Sequence, residues 1–198
     1  MNSEERYSRQ RDIVPAERLD ACAATVIGVG AIGRQVALQL TAIGILRLQL
    51  IDFDTVEESN IASQGYLEAG LGKSKVHATA ELCKQINQSL SVDPVPQRFR
   101  RSITVGNIIF CCVDSMEIRR LIWNTVKDSS SLFCDGRMSA EVLRVLTACD
   151  AASREHYPTT LFGSEEGYQV SVAKSVFRPP ATAFGLEQKG SFGFPVGT

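Results

Sequence analysis

Apolar residues fall into two alternating rhythms along this chain. Val36, Ala37, Leu40 and Ile43 share one helical face, as do Val76, Ala80, Cys83 and Ile86, and then Ile118, Leu121, Ile122 and Thr125. Between these runs lie short segments with strand character. "TVIGVG" (25–30) is a compact apolar run, and "LRLQLIDFD" (46–54) alternates Leu46, Leu48 and Leu50 with polar neighbours. "NIIFCCVD" (107–114) is apolar throughout, as expected of a strand covered on both faces. "SLFCD" (131–135) and "VLRVLTA" (142–148) complete the strands, and "SVDPVPQRF" is an extended segment whose prolines suit a sheet edge. Strand–helix alternation with glycine-rich turns predicts a doubly wound α/β domain, with a mainly parallel sheet and right-handed crossovers. No internal repeat is visible. From about Ser153 the pattern decays, and "VFRPPATAFGLEQKGSFGFPVGT" carries three of the seven prolines without a period. The expected division is a globular domain over 1–170 and an irregular tail over 171–198.

Composition narrows the class. With 198 residues, 44% of them hydrophobic, the chain is long enough for one real core. Its 21 basic and 22 acidic residues leave a net charge of −1, which gives no global pull toward nucleic acid or an anionic membrane surface. The N-terminal stretch is charged and lacks the apolar core of a signal peptide, and no apolar run approaches the roughly 20 residues of a membrane span. The six cysteines form no C-x-x-C pair and sit mostly in apolar stretches, so reduced, buried thiols in a cytoplasmic protein are expected, without zinc.

The chemistry begins at "VIGVGAIGRQVALQL" (26–40), where Gly28, Gly30 and Gly33 follow a strand and open a helix. The first glycine permits a tight turn, the second a close backbone approach, and the third lets helix and strand pack. The helix N-terminus then offers unpaired N–H groups to phosphate. Asp52, 22 residues past Gly30 at the end of the next strand, is placed to accept hydrogen bonds from ribose hydroxyls. These features predict a nucleotide and leave NAD and ATP both open.

The segments that follow separate the two. "RYSRQ" (6–10), "IDFDTVEESNIASQ" (51–64), "GLGKSK" (70–75) and "CCVDSMEIR" (111–119) together resemble the ThiF/MoeB/HesA family, adenylyltransferases that activate ubiquitin-like and sulfur-carrier proteins. The resemblance spans roughly residues 5–165. It implies a Rossmann-like adenylation domain that takes magnesium and ATP and acts on the C-terminal glycine of a ubiquitin-like or sulfur-carrier protein, as a homodimer or heterodimer. The C-terminal carboxylate attacks the α-phosphate, giving an acyl-adenylate and pyrophosphate.

Residue by residue, the resemblance implies that Asp52 holds the ribose and that the Gly30–Ala31 backbone approaches the phosphates. Ser59 and Asn60 face the phosphate region, with Asn60 hydrogen-bonding there. Lys75 brings positive charge to the phosphates, with Lys73 the secondary candidate. Asp114, beside Ser115, binds magnesium. Arg9 reaches across a dimer interface to the triphosphate, while Arg6 and Arg119 give structural support.

Three departures accompany the match. "NIASQ" places Ser63 where the family carries a phosphate-contacting arginine, and a hydroxyl supplies no charge; Arg98, Arg100 and Arg137 are the candidates to replace it. The family's paired C-x-x-C zinc motifs are missing. No carrier-accepting thiol is evident, Cys149 being the best placed by position and a small buried residue the plainer account of it. "DGRMSAEVLRV" (135–145) and "HYPTTLF" (156–162) resemble the compact stand-alone branch of the family, and Asp135 and Arg137 either line the channel for the carrier's tail or brace the strand end. Two alternatives stay open beside the adenylyltransferase: a catalytically weakened nucleotide-binding or scaffold subunit of an activating complex, and an NAD-linked oxidoreductase.

Overall fold

A computed structural model describes residues 3–10, 12–139 and 142–162. Helices α1 (Ser3–Arg6) and α2 (Ala16–Asp20) lead into β1 (Ala24–Ile27), α3 (Ala31–Ile43), β2 (Arg47–Ile51) and α4 (Glu58–Gln64). There follow α5 (Lys75–Ile86), β3 (Ser91–Val95), β4 (Ile108–Cys111), α6 (Met116–Val126), β5 (Leu132–Ser139), β6 (Val142–Ala148) and α7 (Ala151–His156). Single 3-10 turns occupy Glu68–Gly70 and Tyr157–Thr160. The expected tail over 171–198 lies outside the described residues.

The strands form one six-stranded sheet in the order β3-β2-β1-β4-β5-β6. The pairs from β3 to β5 are parallel, and β6 runs antiparallel to β5 from Phe133↔Ala148 to Ser139↔Val142. β3 is an edge strand, where Pro94 is tolerated opposite Leu50 because one side of the strand needs no partner. The winding direction reverses between β1 and β4. At such a reversal the loops after neighbouring strands diverge and leave a crevice above their carboxyl ends.

Two apolar clusters hold the helices to the two faces. On one, Val26, Leu48 and Leu50 meet Ala37 and Leu40 of α3 and Val76, Ala80 and Cys83 of α5. On the other, Ile27, Ile51, Ile109 and Cys111 meet Ile122, Trp123 and Val126 of α6. β4 divides its side chains between them: Ile108 and Phe110 pack on the first cluster, Ile109 and Cys111 lie within the second. Its uninterrupted apolar sequence follows from that double coverage. Trp123, Phe133 and Tyr157 close the second cluster with ring centroids 4.7–5.1 Å apart at tilted and edge-to-face angles. Each fully buried large side chain of this kind contributes about 1.5–3 kcal/mol.

The N-terminal segment is anchored far from the crevice. Tyr7 lies against Gly44, Gln10 Nε2 donates to the carbonyl of Ile43 at 2.6 Å, and Arg6 donates to the carbonyl of Ile86. These are the C-terminal ends of α3 and α5. The 13 residues of α3 place its two ends about 20 Å apart.

Candidate functional site

The turn between β1 and α3 depends on two of its glycines for backbone reasons. Gly28 adopts φ +86°, and a Cβ there would sit 2.8 Å from the main-chain carbonyl of Cys112, just past β4. A Cβ at Gly33 would overlap the carbonyl oxygen of Gly28, so this glycine lets α3 pack on the turn. Gly30 has no such need. Its φ is −80°, and the nearest atom to its absent Cβ is Gln64 Oε1, at 3.8 Å. It is the N-cap of α3 without a side-chain cap, so the first N–H groups of that helix have no intrahelical partner and face open space. An anion fits such an end.

That space is a cavity of about 580 Å³ above the carboxyl ends of β1, β2 and β4. It brings together Gly28, Gly30, Ala31, Asp52, Lys75, Asp114 and Ser115. Asp52 accepts from the Val29 N–H at 2.6 Å and the Asp54 N–H at 2.9 Å, one on each oxygen. It therefore ties the glycine turn to the end of β2 while keeping lone pairs toward the cavity. Lys75, the first residue of α5, is buried, and its Nζ reaches Asp54 Oδ2 at 3.1 Å. Lys73 is exposed and paired with Glu81 at 2.8 Å, so it serves the surface. Asp114 is exposed at the end of β4, and the cap of α6 is its neighbour Ser115, whose Oγ accepts from the Ile118 N–H at 3.3 Å. Asp114 is thus not spent on capping. Among the described residues no group of three or more His, Cys, Asp or Glu side chains gathers as a metal site.

Other expected residues stand elsewhere. Asn60 belongs to the first turn of α4, where its Oδ1 accepts from the Glu57 N–H at 3.1 Å and its Nδ2 donates to Ser59 Oγ at 3.3 Å. Neither Ser59 nor Asn60 lines the cavity. Ser63 Oγ donates to the Ser59 carbonyl at 2.6 Å, so its hydroxyl proton is used within α4. Arg9 is exposed in the N-terminal segment and lies at the far end of α3 from the glycine turn. Of the arginines considered in place of position 63, Arg100 is exposed and outside the cavity lining, Arg137 is bound into a buried network, and Arg98 lines the cavity. Arg98 lies 3.6 Å above the Phe53 ring, forming a cation–π lip with an apolar face. Arg98 was thus one of three candidates in the sequence, whereas Gln64, Asp54 and Phe53 were not legible as lining residues, because nothing in their spacing links them; only the fold does.

The buried network braces one wall. Asp135, fully buried on β5, accepts from Arg119, from Arg137 Nε at 2.7 Å and from Tyr157 Oη at 2.8 Å. Arg137 continues to the Thr160 carbonyl at 2.8 Å, and Arg119 to the Val113 and Gly136 carbonyls. Burial, with Arg137 nearby, lowers the Arg119 pKa from its usual range. Burial also pushes the Tyr157 phenol up to about 12, and desolvation does the same to the Cys111 and Cys112 thiols. Neither thiol is a nucleophile in that form. Cys149 is exposed rather than buried, with its Sγ 3.8 Å from Asp150 Oδ2.

A doubly wound sheet whose glycine turn opens onto a cleft at the reversal point defines a Rossmann-like α/β domain. The chain belongs to the ThiF family, whose pattern matches residues 7–174. It is 32% identical over 151 residues to adenylyltransferase and sulfurtransferase MOCS3 of Bos taurus, covering 70% of this chain and 32% of that protein. It is 31% identical over 125 residues to molybdopterin-synthase adenylyltransferase of Haemophilus influenzae, covering 58% of this chain and 51% of that one. The chain therefore spans about a third to a half of the length of these curated relatives. Among solved structures, E. coli MccB with AMPCPP and MccA superposes at TM-score 0.68 with 17% identity, over 90% of this chain and 57% of that one. E. coli tRNA N6-threonylcarbamoyladenosine dehydratase, TcdA, in complex with ATP gives 0.61 and 22%, over 70% and 62%. At such identities the likeness is one of fold. Among the described residues no helix is long and apolar enough to cross a membrane.

Proposed function

We propose that this chain binds magnesium and ATP in the β1–β4 cleft and transfers the adenylyl group to the C-terminal carboxylate of a ubiquitin-like or sulfur-carrier protein that ends in glycine. The observation that carries this reading is one cavity uniting a bare helix N-terminus, the Asp52 carboxylate, the buried Lys75 ammonium and the uncommitted Asp114. The names of the curated relatives agree with it.

In this reading Asp52 holds the ribose hydroxyls through its remaining lone pairs. The N–H groups at Ala31 and the charge of Lys75 neutralise phosphate as negative charge shifts toward the leaving pyrophosphate. Asp114 would be the protein ligand for magnesium, which would supply positive charge against the phosphates. The incoming carboxylate and the α-phosphate are both anionic, so these cations must offset their repulsion before the new oxygen–phosphorus bond forms. Lys75 is suited to that work, since Asp54 holds its long stem in one place and burial strengthens its field. Arg9 acts on the triphosphate of a second subunit, because within its own chain it stands at the wrong end of α3. The site is then complete only in a dimer. A weakened, partner-supporting subunit is the second reading, favoured by Ser63 having no charge and its hydroxyl turned to the Ser59 carbonyl.

Calorimetric titration with magnesium–ATP and separately with NAD, repeated on Asp114→Ala, tests the proposal. Magnesium-dependent ATP binding that the substitution abolishes is the expected result. Binding of NAD in preference to ATP would overturn it. ATP binding without pyrophosphate exchange in the presence of carrier would favour the weakened subunit.

A further inference from the structure

Four cations are buried among the described residues, and three of them have carboxylates. Lys75 pairs with Asp54, while Arg119 and Arg137 share Asp135. Arg34 is the exception. Only 5% exposed, it has no ion pair among the described residues, its Nε has no hydrogen-bond partner, and its Nη1 reaches only the Gln64 carbonyl, at 3.5 Å. A lone buried guanidinium is costly unless some anion offsets it.

Its position says where that anion belongs. Arg34 lies in the first turns of α3, its N–H donating to the Gly30 carbonyl at 3.0 Å, and a helical side chain leans back over the turn that precedes it. The guanidinium sits 5.0 Å over the Tyr66 ring, and Tyr66 Oη donates to the Val29 carbonyl at 2.6 Å, inside the glycine turn. On its other side Gln64 lines the cavity with an amide oxygen that has no partner. Arg34 therefore joins the glycine turn to the end of α4 from beneath, through Tyr66 on one side and Gln64 on the other.

We propose that Arg34 is the counter-charge for the phosphates held at the glycine turn, and that it positions Gln64 against them. This rests on the nucleotide reading above. Arg34 acts through its field and through Gln64 rather than by touching substrate, which makes it a positioning residue. It supplies from α3 the charge that position 63 on α4 lacks.

The test is magnesium–ATP titration of the wild-type chain, Arg34→Met, Arg34→Gln, Arg34→Lys and Arg34→Met with Ser63→Arg, with the ligand-free Tm of each. The neutral variants are expected to lose about tenfold or more in ATP affinity, while their ligand-free Tm holds or rises because a lone buried charge is gone. Arg34→Lys retains most of the affinity, and Ser63→Arg restores part of what Met removed. Neutral variants that bind ATP like the wild type would overturn the inference and leave the nucleotide reading standing. So would neutral variants that lose ligand-free stability or fail to fold, since the charge would then serve the fold. A wild-type chain that binds no ATP overturns the nucleotide reading and this inference with it.

Discussion

Asp135→Asn isolates what the buried network is worth. Every partner of the Asp135 carboxylate is a donor: two guanidiniums and one phenol. The asparagine retains one acceptor oxygen but turns an NH2 group toward those donors, and it leaves Arg119 and Arg137 without a counter-ion in a fully buried position. Removing one partner of a buried ion pair costs about 3–5 kcal/mol, against a total stability of about 5–15 kcal/mol for a domain. For a domain of this size each kcal/mol shifts Tm by about 2–4 °C, so a fall of about 6–20 °C is expected. Urea unfolding and calorimetry measure both quantities on the same sample. The companion variant Asp135→Asn with Arg137→Met should be more stable than Asp135→Asn alone, because it withdraws one of the two stranded charges. A loss below about 1 kcal/mol for Asp135→Asn, or a double variant worse than the single one, would refute the bracing role and return Asp135 to the carrier-tail channel as a candidate.

The first two glycines of the turn should part company. Gly28→Ala, with its positive φ and a main-chain carbonyl 2.8 Å from the new carbon, is expected to cost about 2 kcal/mol or more, whereas Gly30→Ala should unfold like the wild type and lose ATP binding alone; chemical denaturation and titration separate them. Thiol labelling of the native protein near pH 8 should modify Cys149 first and leave Cys111 and Cys112 unmodified until unfolding, since burial pushes both up to about 12. Burial also raises Tyr66 and Tyr157 from 10.0 to about 12. The unfolded chain then releases these phenol protons, and the thiol protons of Cys111 and Cys112 with their ordinary value of 9.0, before the folded chain does, so stability should be complete below about pH 9 and fall as pH rises to about 12, with tyrosinate absorbance appearing together with the loss of structure. Phenylalanine at both tyrosine positions should remove the phenol share of that alkaline slope and leave the share of the two thiols.

The α/β class was legible because its signals are local. Helical spacing marks α3, α5 and α6, and continuous apolar residues mark β4 even before anything is known of its neighbours. The glycines were legible as a turn between a strand and a helix, but their differing duties were not. Only the approach of Cys112 and of α3 shows that Gly28 and Gly33 serve packing while Gly30 keeps the cavity mouth clear. α4 escaped notice because it buries none of its residues and is set by turn chemistry at Glu57 and Asn60 rather than by an apolar stripe. The buried charges were hidden for the opposite reason. Lysine and arginine sequences suggest a solvated surface, and nothing near Lys75, Arg34 or Arg119 in the chain announces that distant segments close over them. Arg9 was readable as a charge but not as one stationed at the opposite end of α3.

The two edges of the sheet differ in a way that bears on handling the protein. At β3, proline at position 94 and the exposed Ser91 and Asp93 blunt the outer edge against further strand addition. At β6, Val142, Leu143 and Val145 are exposed, and no strand pairs with its outer side among the described residues. Sheet extension is thus one-sided. Self-association on concentration, inclusion-body formation and salt-induced precipitation should all respond to a lysine or glutamate placed at Leu143 or Val145, and ignore the same charge placed on β3.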